Sequence, residues 1–357
     1  MTDIVDSTRV TERLGNAEAA RLWAEHDRIA RDLLATFGGR EIDKSDGLLL
    51  LFVEASDAVG FAAAYHRAVK SLSTPLMARA GVHVGQVILR ENALTDVARG
   101  AKPVEVEGIA KSTAARIMSI ANSGQTLLSA EAREELVGTP WHLQSHGHWR
   151  LKGLAALREL FEAGPAEAMC VPPSDNPKAY RVVRDGDLWL PVSEVRHSLP
   201  AERDAFIGRR DALDELAQQF EDGVRLVSVT GIGGAGKTRL VSRFAWTWLG
   251  DFPGGAWFCD LAQARSLDGV LAAVSQSLDV PLGRDDPATQ LGNAIAARGA
   301  CLVILDNFEQ VAQHAEATLG HWLSRAREAR FLVTTRNVLG LVGESVLPLP
   351  PLLPLDA

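Results

Sequence analysis

Gly231-Ile-Gly-Gly-Ala-Gly-Lys-Thr238 fits the pattern G-x-x-x-x-G-K-[ST], with Gly231, Gly236, Lys237 and Thr238 at the fixed positions. The apolar run Val224–Thr230 leads in as a strand, and Arg239–Trp246 leads out as a helix. Glycines, here also Gly233 and Gly234, let successive backbone N–H groups turn inward on a phosphate, and a helix N-terminus adds partial positive charge. Lys237 would reach the β- and γ-phosphates, and the Thr238 hydroxyl would ligate Mg²⁺. A glycine-rich turn with no ligand is the competing reading; the lysine and hydroxyl at the expected positions, between strand and helix, argue against it. Residues 205–357 are therefore expected to bind ATP.

Outward from the loop, strands are expected at Ala256–Asp260, Cys301–Asp306 and Phe331–Arg336, with helices at Leu267–Leu278 and Gln290–Arg298. Continuous apolar strands alternating with helices predict a parallel sheet covered on both faces. Asp306 ends its strand at the carboxyl edge, where ligands of such sheets gather, and would hold Mg²⁺ through water. Glu309 is the candidate for orienting an attacking water. Phe206-Ile-Gly-Arg209, the loop, Leu302–Glu309 and Leu332–Arg336 together resemble the STAND/NB-ARC signalling ATPases. The resemblance implies that Arg209 lies by the nucleotide and that Thr335 and Arg336 sense the γ-phosphate. It also implies an ADP/ATP switch, slow ATP hydrolysis, protein partners, and a following helical module. Leu347–Ala357 reads as a proline-rich tail that cannot continue a helix, so that module is expected to be missing.

The 357 residues allow two domains, each with its own core. A net charge of −8 argues against direct nucleic-acid binding, which calls for a basic stripe. Cys170, Cys259 and Cys301 are odd in number, far apart and without metal spacing, which fits a reducing cytosol. Neither a signal peptide nor an apolar run of about 20 residues is present, so a cytoplasmic protein is expected.

In residues 1–165, Thr2–Val5 reads as a strand end. A helix with Ala19, Leu22, Ile29, Leu33 and Leu34 at helical spacing follows, closed by Gly38-Gly39. A hairpin with a turn at Asp43–Gly47, a helix over Ala55–Ser71 and a strand pair, Ala78–Val84 with Gln86–Leu89, come next. Ile109–Ala121 is a helix and Gln125–Leu128 a strand. The order β-α-β-β-α-β is that of a ferredoxin-like α+β domain. Asp3 and Asp46 are expected to meet at adjacent strand ends, and such carboxylates suit Mg²⁺ or Mn²⁺; an Asp-Gly turn at 46–47 is the plainer reading. Alternation would put His142, His146 and His148 on one strand face, a weak metal pattern that a hairpin explains equally well.

Asp3–Thr8, Lys44–Phe52, Arg79–Gly85, Glu105–Gly108, Ala114–Arg116 and Arg150–Gly153, in this order and spacing, resemble the class III nucleotidyl cyclases. The resemblance implies that Asp3 and Asp46, with the backbone carbonyl of Ile4, hold two metal ions. It implies that Arg116 stabilises the transition state, Lys152 binds the triphosphate and Glu105 helps select the base. It further implies a homodimer with sites across its interface, acting on ATP or GTP. Ser45 stands where glycine is usual, and the preceding segment is one residue short, so Lys44, Ile42 or Asp43 fills the base-selecting lysine's place. Ser112 replaces the usual ribose-orienting asparagine. Two functions are open: an adenylate (or guanylate) cyclase governed by a nucleotide switch, or a non-catalytic scaffold with a degenerate cyclase fold. Residues 166–204 read as a linker carrying a small hairpin, Tyr180–Val183 with Asp187–Leu190, which needs a domain to dock on.

Overall fold

A computed structural model describes residues 1–44, 47–154, 156–164, 171–202, 204–283 and 285–352. The chain divides into two compact units, Met1–Arg181 and Val182–Ala357. The division falls inside the hairpin that the sequence places in the connector.

The first unit begins with β1 (Thr2–Ile4), α1 (Ser7–Leu14), α2 (Asn16–Thr36), β2 (Arg40–Lys44), β3 (Gly47–Leu51), α3 (Ala55–Lys70) and β4 (Ala78–Val82). Then come β5 (Ile88–Glu91), α4 (Leu94–Val97), β6 (Val104–Glu107), α5 (Ile109–Ile120), β7 (Thr126–Ser129), α6 (Ala130–Glu135), β8 (His142–Leu151), β9 (Arg158–Gly164) and β10 (Ala179–Asp185). Its sheet runs β10-β8-β9-β7-β4-β1-β3-β2. Within it β1 lies antiparallel between β3 and β4, so the core elements have the expected β-α-β-β-α-β order. The apolar spacing over Ala19–Leu34 belongs to α2; ahead of it Gly15, at φ +74°, separates the short α1.

Strand pairing corrects two expectations. The strand after Val84 does not pair with β4, because both edges of β4 are taken by β1 and β7. Instead β5 pairs antiparallel with β6 in a separate ribbon that exposes Ile88 and Leu89. In β8 the register shifts between Ser145 and His148, which breaks the alternation that would align three histidines. His146 is buried and 2.8 Å from Glu162 Oε2. Among the described residues no group of three His, Cys, Asp or Glu side chains is placed to hold a metal.

One core histidine carries a pH prediction. His66, on α3, has Nε2 3.0 Å from Thr126 Oγ1 on β7, while its Nδ1 is buried with no hydrogen-bond partner among the described residues. Burial lowers its pKa from 6.5 to about 4. The folded state thus binds fewer protons than the unfolded chain between these values, so stability is full above pH 6.5 and falls as pH drops towards 4. At pH 5 the loss attributable to His66 is expected to be about 2 kcal/mol relative to pH 7.5. Denaturant unfolding should show a smaller acid loss in His66→Gln; equal losses in both proteins would remove His66 as the cause.

In the second unit, Val182–Asp185 at the end of β10 pair with β11 (Leu188–Pro191), and α7 (Arg210–Glu221) precedes β12 (Leu226–Thr230). There follow α8 (Lys237–Thr247), β13 (Ala256–Asp260), α9 (Leu267–Leu278), α10 (Pro287–Ala296), β14 (Leu302–Asp306), α11 (His321–Arg325), β15 (Arg330–Thr335) and β16 (Glu344–Pro348). The sheet order is β13-β14-β15-β12-β16, and every neighbouring pair is parallel. All five residues of β14 are buried, as a strand covered on both faces requires. The expected proline-rich tail instead begins inside an edge strand: Leu347 and Pro348 complete β16, and edge strands tolerate proline. No described helix is long and apolar enough to cross a membrane.

Candidate functional site

In the second unit, β12 runs into the glycine loop and the loop into α8. Gly231 has to be glycine because a Cβ there would sit 2.5 Å from the Leu349 carbonyl oxygen. Gly234 and Gly236 take φ of +80° and +88°, in the left-handed region that favours glycine. Lys237 Nζ donates to the carbonyls of Gly231 (2.8 Å) and Ile232 (3.0 Å), so its ammonium lies against the loop. Thr238 Oγ1 donates to the Asp306 carboxylate, 2.9 Å from Oδ1 and 3.0 Å from Oδ2. These two residues are 68 positions apart, and only the parallel pairing of the sheet brings them together.

Asp306 is 3 % exposed and also accepts from Thr334 Oγ1 (2.5 Å) and Asn307 Nδ2 (3.0 Å). Asn307, at φ +62°, donates to Asp260 Oδ1 as well, at 3.1 Å. Burial raises the Asp306 pKa; bonds from Thr334 and Thr238 oppose that, and the charges of Asp260 and Glu309 add to it. A threonine hydroxyl hydrogen-bonded to a buried carboxylate offers oxygen donors of the kind Mg²⁺ takes. Glu309 Oε1 is 3.3 Å from Arg336 Nε, and Arg336 Nη2 would be 3.8 Å from a Cβ at Gly233. Arg209 Nη2 donates to the loop carbonyl of Ala235 at 3.2 Å. Glycine loop, Asp306, Glu309, Arg336 and Arg209 are thus gathered in one place by the fold. Thr335 differs from expectation: its hydroxyl donates to the Asn337 carbonyl, and Thr334 faces Asp306 instead. Strand alternation puts the two threonines on opposite faces, and the sequence alone does not say which face holds Asp306. Asn307 and Asp260 carry no motif that would have singled them out.

In the first unit, Asp3 on β1 accepts twice on Oδ2 from Arg79 of β4, from Nε at 2.9 Å and Nη2 at 2.6 Å. Arg79 Nη1 also donates to the Ser119 carbonyl of α5, at 3.0 Å, so one guanidinium ties β1 to that helix. Ile4 is buried beside it, and Asp46 lies outside the described residues. Arg116, on α5, donates from Nε to the carbonyl of Lys152 at 2.9 Å, and the Lys152 amide donates to the Lys178 carbonyl. Ser112 is exposed one turn before Arg116 on the same helix. Arg116 is therefore a neighbour of both the Lys152 backbone and Ser112.

The base-selecting candidates separate. Lys44 forms an ion pair with Asp27 of α2, and Asp43 one with Lys102. Ile42 packs in an apolar cluster with Leu49 and Val106. Glu105, next to Val106, pairs with Arg90 directly across the β5–β6 ribbon. None of the three contacts Glu105 among the described residues: Ile42 packs on Val106, whose side chain alternates with that of Glu105 along β6. Arg79 and Arg90, the partners of two proposed site acids, were missed as such; Arg79 lies inside a quoted motif but had no assigned role.

No family model matches the chain. An uncharacterized protein of Mycobacterium tuberculosis (strain ATCC 25618 / H37Rv) is 28% identical over 161 residues, which is 45% of this chain and 41% of that protein. A putative HTH-type transcriptional regulator of the same strain is 29% identical over 123 residues, 34% of this chain and 13% of the regulator. The chain thus spans well under half the length of these curated relatives. Among solved structures, adenylate cyclases from Trypanosoma brucei in their monomeric state align at TM-score 0.42 and 18% identity, over 48% of this chain and 89% of theirs. The adenylyl cyclase CyaB from P. aeruginosa aligns at TM-score 0.42 and 17% identity, over 46% of this chain and 92% of its own. An adenylate/guanylate cyclase/hydrolase from Silicibacter pomeroyi aligns at TM-score 0.38 and 17% identity, over 46% and 94%. Likenesses with TM-scores below 0.5 carry no argument about the activity of this chain.

Proposed function

We propose that the first unit is a nucleotidyl cyclase and the second a nucleotide-binding switch of the STAND/NB-ARC kind. The cyclase converts ATP, or GTP, to the 3′,5′-cyclic nucleotide and pyrophosphate. The observation that carries the reading is the Arg116–Lys152 contact: two residues 36 positions apart, proposed for one phosphate chain, are hydrogen-bonded neighbours in the fold. In the reaction the ribose 3′-oxygen forms a bond to the α-phosphorus as the bond to the pyrophosphate oxygen breaks. Charge developing on the phosphoryl oxygens is met by the planar Arg116 guanidinium, oriented by the Lys152 carbonyl, and the Lys152 side chain holds the leaving phosphates. Asp3, Asp46 and the Ile4 carbonyl would hold Mg²⁺ or Mn²⁺; Oδ1 of Asp3 accepts no hydrogen bond among the described residues and is open to a cation. When bound, the metal supplies Lewis-acid charge to the 3′-oxygen and the phosphates. Apolar Ile88 and Leu89, exposed on the β5–β6 ribbon, support a homodimer.

In the second unit Gly231–Thr238, Asp306, Arg209 and Arg336 hold ATP with Mg²⁺, and Glu309 orients water for slow hydrolysis. The Glu309–Arg336 pair links the water-orienting residue to the γ-phosphate sensor, which suits a switch. We place the chain in the cytoplasm. The second reading, a scaffold that catalyses nothing in its first unit, is favoured by the engagement of Asp3 with Arg79 and of Glu105 with Arg90.

The deciding experiment incubates the purified chain with ATP or GTP and Mn²⁺ and scores cyclic product by mass. Product is expected from the wild type and none from Asp46→Ala, with nucleotide binding at the second unit unchanged. No product from either protein establishes the scaffold reading; equal product from both removes Asp46 from the reaction.

A further inference from the structure

Arg116 and Lys152 belong to a closed ring of hydrogen bonds whose other members have no role in the proposed catalysis. Arg116 Nε donates to the Lys152 carbonyl at 2.9 Å, and the Lys152 amide donates to the Lys178 carbonyl at 2.9 Å. The Lys178 amide donates to Asn176 Oδ1 at 2.8 Å, and Asn176 Nδ2 donates to the Ser119 carbonyl at 3.2 Å. Ser119 Oγ closes the circuit by donating to the Arg116 carbonyl at 2.7 Å, one turn back along α5. Asn176 and Ser119 are 57 positions apart, so a segment beyond β9 is tied to the helix that carries Arg116.

Chemistry fixes the direction of each bond. Asn176 Oδ1 accepts from two backbone amides, Lys178 N at 2.8 Å and Ala179 N at 3.1 Å, which only an oxygen can do. The other end of the side-chain amide is therefore its NH2, and that group faces Ser119. The Asn176 backbone also exchanges hydrogen bonds with buried Ala179, at 2.8 and 3.1 Å, so the turn that aims the side chain is held on both sides. The Ser119 carbonyl lies in the last turn of α5, where helix carbonyls find no amide of their own helix. It takes Asn176 Nδ2 and Arg79 Nη1 instead, and Arg79 in turn holds Asp3. Among the described residues the Nη groups of Arg116 have no hydrogen-bond partner. The ring therefore uses the inner Nε donor of the guanidinium and leaves the outer ones for a ligand.

We propose that Asn176 is a positioning residue for the cyclase reaction: by closing this ring it sets the Arg116 guanidinium against the Lys152 backbone and holds its Nη donors ready for substrate phosphate. This role rests on the cyclase reading of the first unit. A guanidinium fixed before substrate arrives carries less ordering cost into the transition state, and a misplacement of about 1 Å can cost up to about 10²-fold in rate.

The test uses the full chain. Asn176→Asp keeps an acceptor for both amides of the turn but sets a second oxygen against the Ser119 carbonyl, and Asn176→Ala breaks the ring without adding charge. Ser119→Ala removes only the Oγ arm, and alanine favours helix over serine, so a lost rate could not come from a weakened α5. Both Asn176 variants are expected to lower kcat for cyclic product about tenfold and Ser119→Ala about threefold, with KM within about twofold and thermal unfolding still cooperative. Added to Arg116→Ala, Asn176→Ala is expected to cost no more than about twofold, because the group it positions has gone. A measurement independent of catalysis follows the Arg116 Nε–H by nuclear magnetic resonance, assigned by its absence from Arg116→Lys. Its exchange with water is expected to be at least about tenfold faster in Asn176→Ala than in the wild type. A wild-type kcat in Asn176→Ala, the same loss with and without Arg116, or unchanged Nε–H exchange would each overturn the proposal. Absence of cyclic product from the wild type removes the cyclase reading and this role together; product that survives Asn176→Ala undiminished removes the positioning role alone.

Discussion

Replacing Lys237 with alanine is expected to lower the chain's affinity for ADP at least 100-fold. The ammonium lies against the loop on the carbonyls of Gly231 and Ile232, and on the proposed reading a short movement would carry it to the phosphates of a bound nucleotide. A hundredfold corresponds to about 2.7 kcal/mol, within the usual worth of a charged hydrogen bond. ADP is the probe of choice because it cannot be cyclised and should report the second unit. Circular dichroism should be unchanged, since Lys237 sits on the helix surface and contributes nothing to the apolar cluster around Phe244 and Trp248. Calorimetry giving the same affinity for variant and wild type would remove this loop from the nucleotide site.

The second large effect concerns Arg116. Arg116→Ala is expected to lower kcat for cyclic nucleotide formation about 10²- to 10³-fold, the usual consequence of deleting one donor aimed at a transition state. KM should move much less, because the interaction is made chiefly as charge develops. Arg116→Lys should not restore the rate, since an ammonium cannot keep the Lys152 carbonyl bond from Nε while presenting a planar face to phosphate. A variant with wild-type kcat would exclude Arg116 from the reaction.

What the sequence conveyed and what it withheld have physical explanations. Gly231–Thr238 was readable because each position in it answers to one local requirement: a turn, a donor or a hydroxyl. The order of elements along the chain was partly readable, since apolar runs mark strands whichever neighbour they take. Neighbours were not: β5 was assigned to β4 because they are adjacent in sequence, whereas β4 had already used both edges. The edge strand β16 was hidden by Pro348 at its end and by Pro350 and Pro351 just beyond it, since proline excludes a central strand but not an outer one. Side-chain partners were the least accessible. Arg79 for Asp3, Asn307 for Asp306 and His26 for Tyr65 are pairings that neither periodicity nor motif spacing encodes.

The placement of β12 has a consequence for how the protein is made. β12 is the first strand of its sheet to be synthesised, yet both of its neighbours come late: Leu226 pairs with Phe331 on one side and Glu344 on the other. At roughly 5–20 residues per second, the ribosome holds Leu226–Val229 with two unpaired edges for about 5 to 25 seconds. Over that interval β13 and β14 can pair with each other but not with β12. Nascent chains on crowded polysomes would meet one another through this strand, so yield in a heterologous host should depend on holdase chaperones more than on the stability of the finished fold.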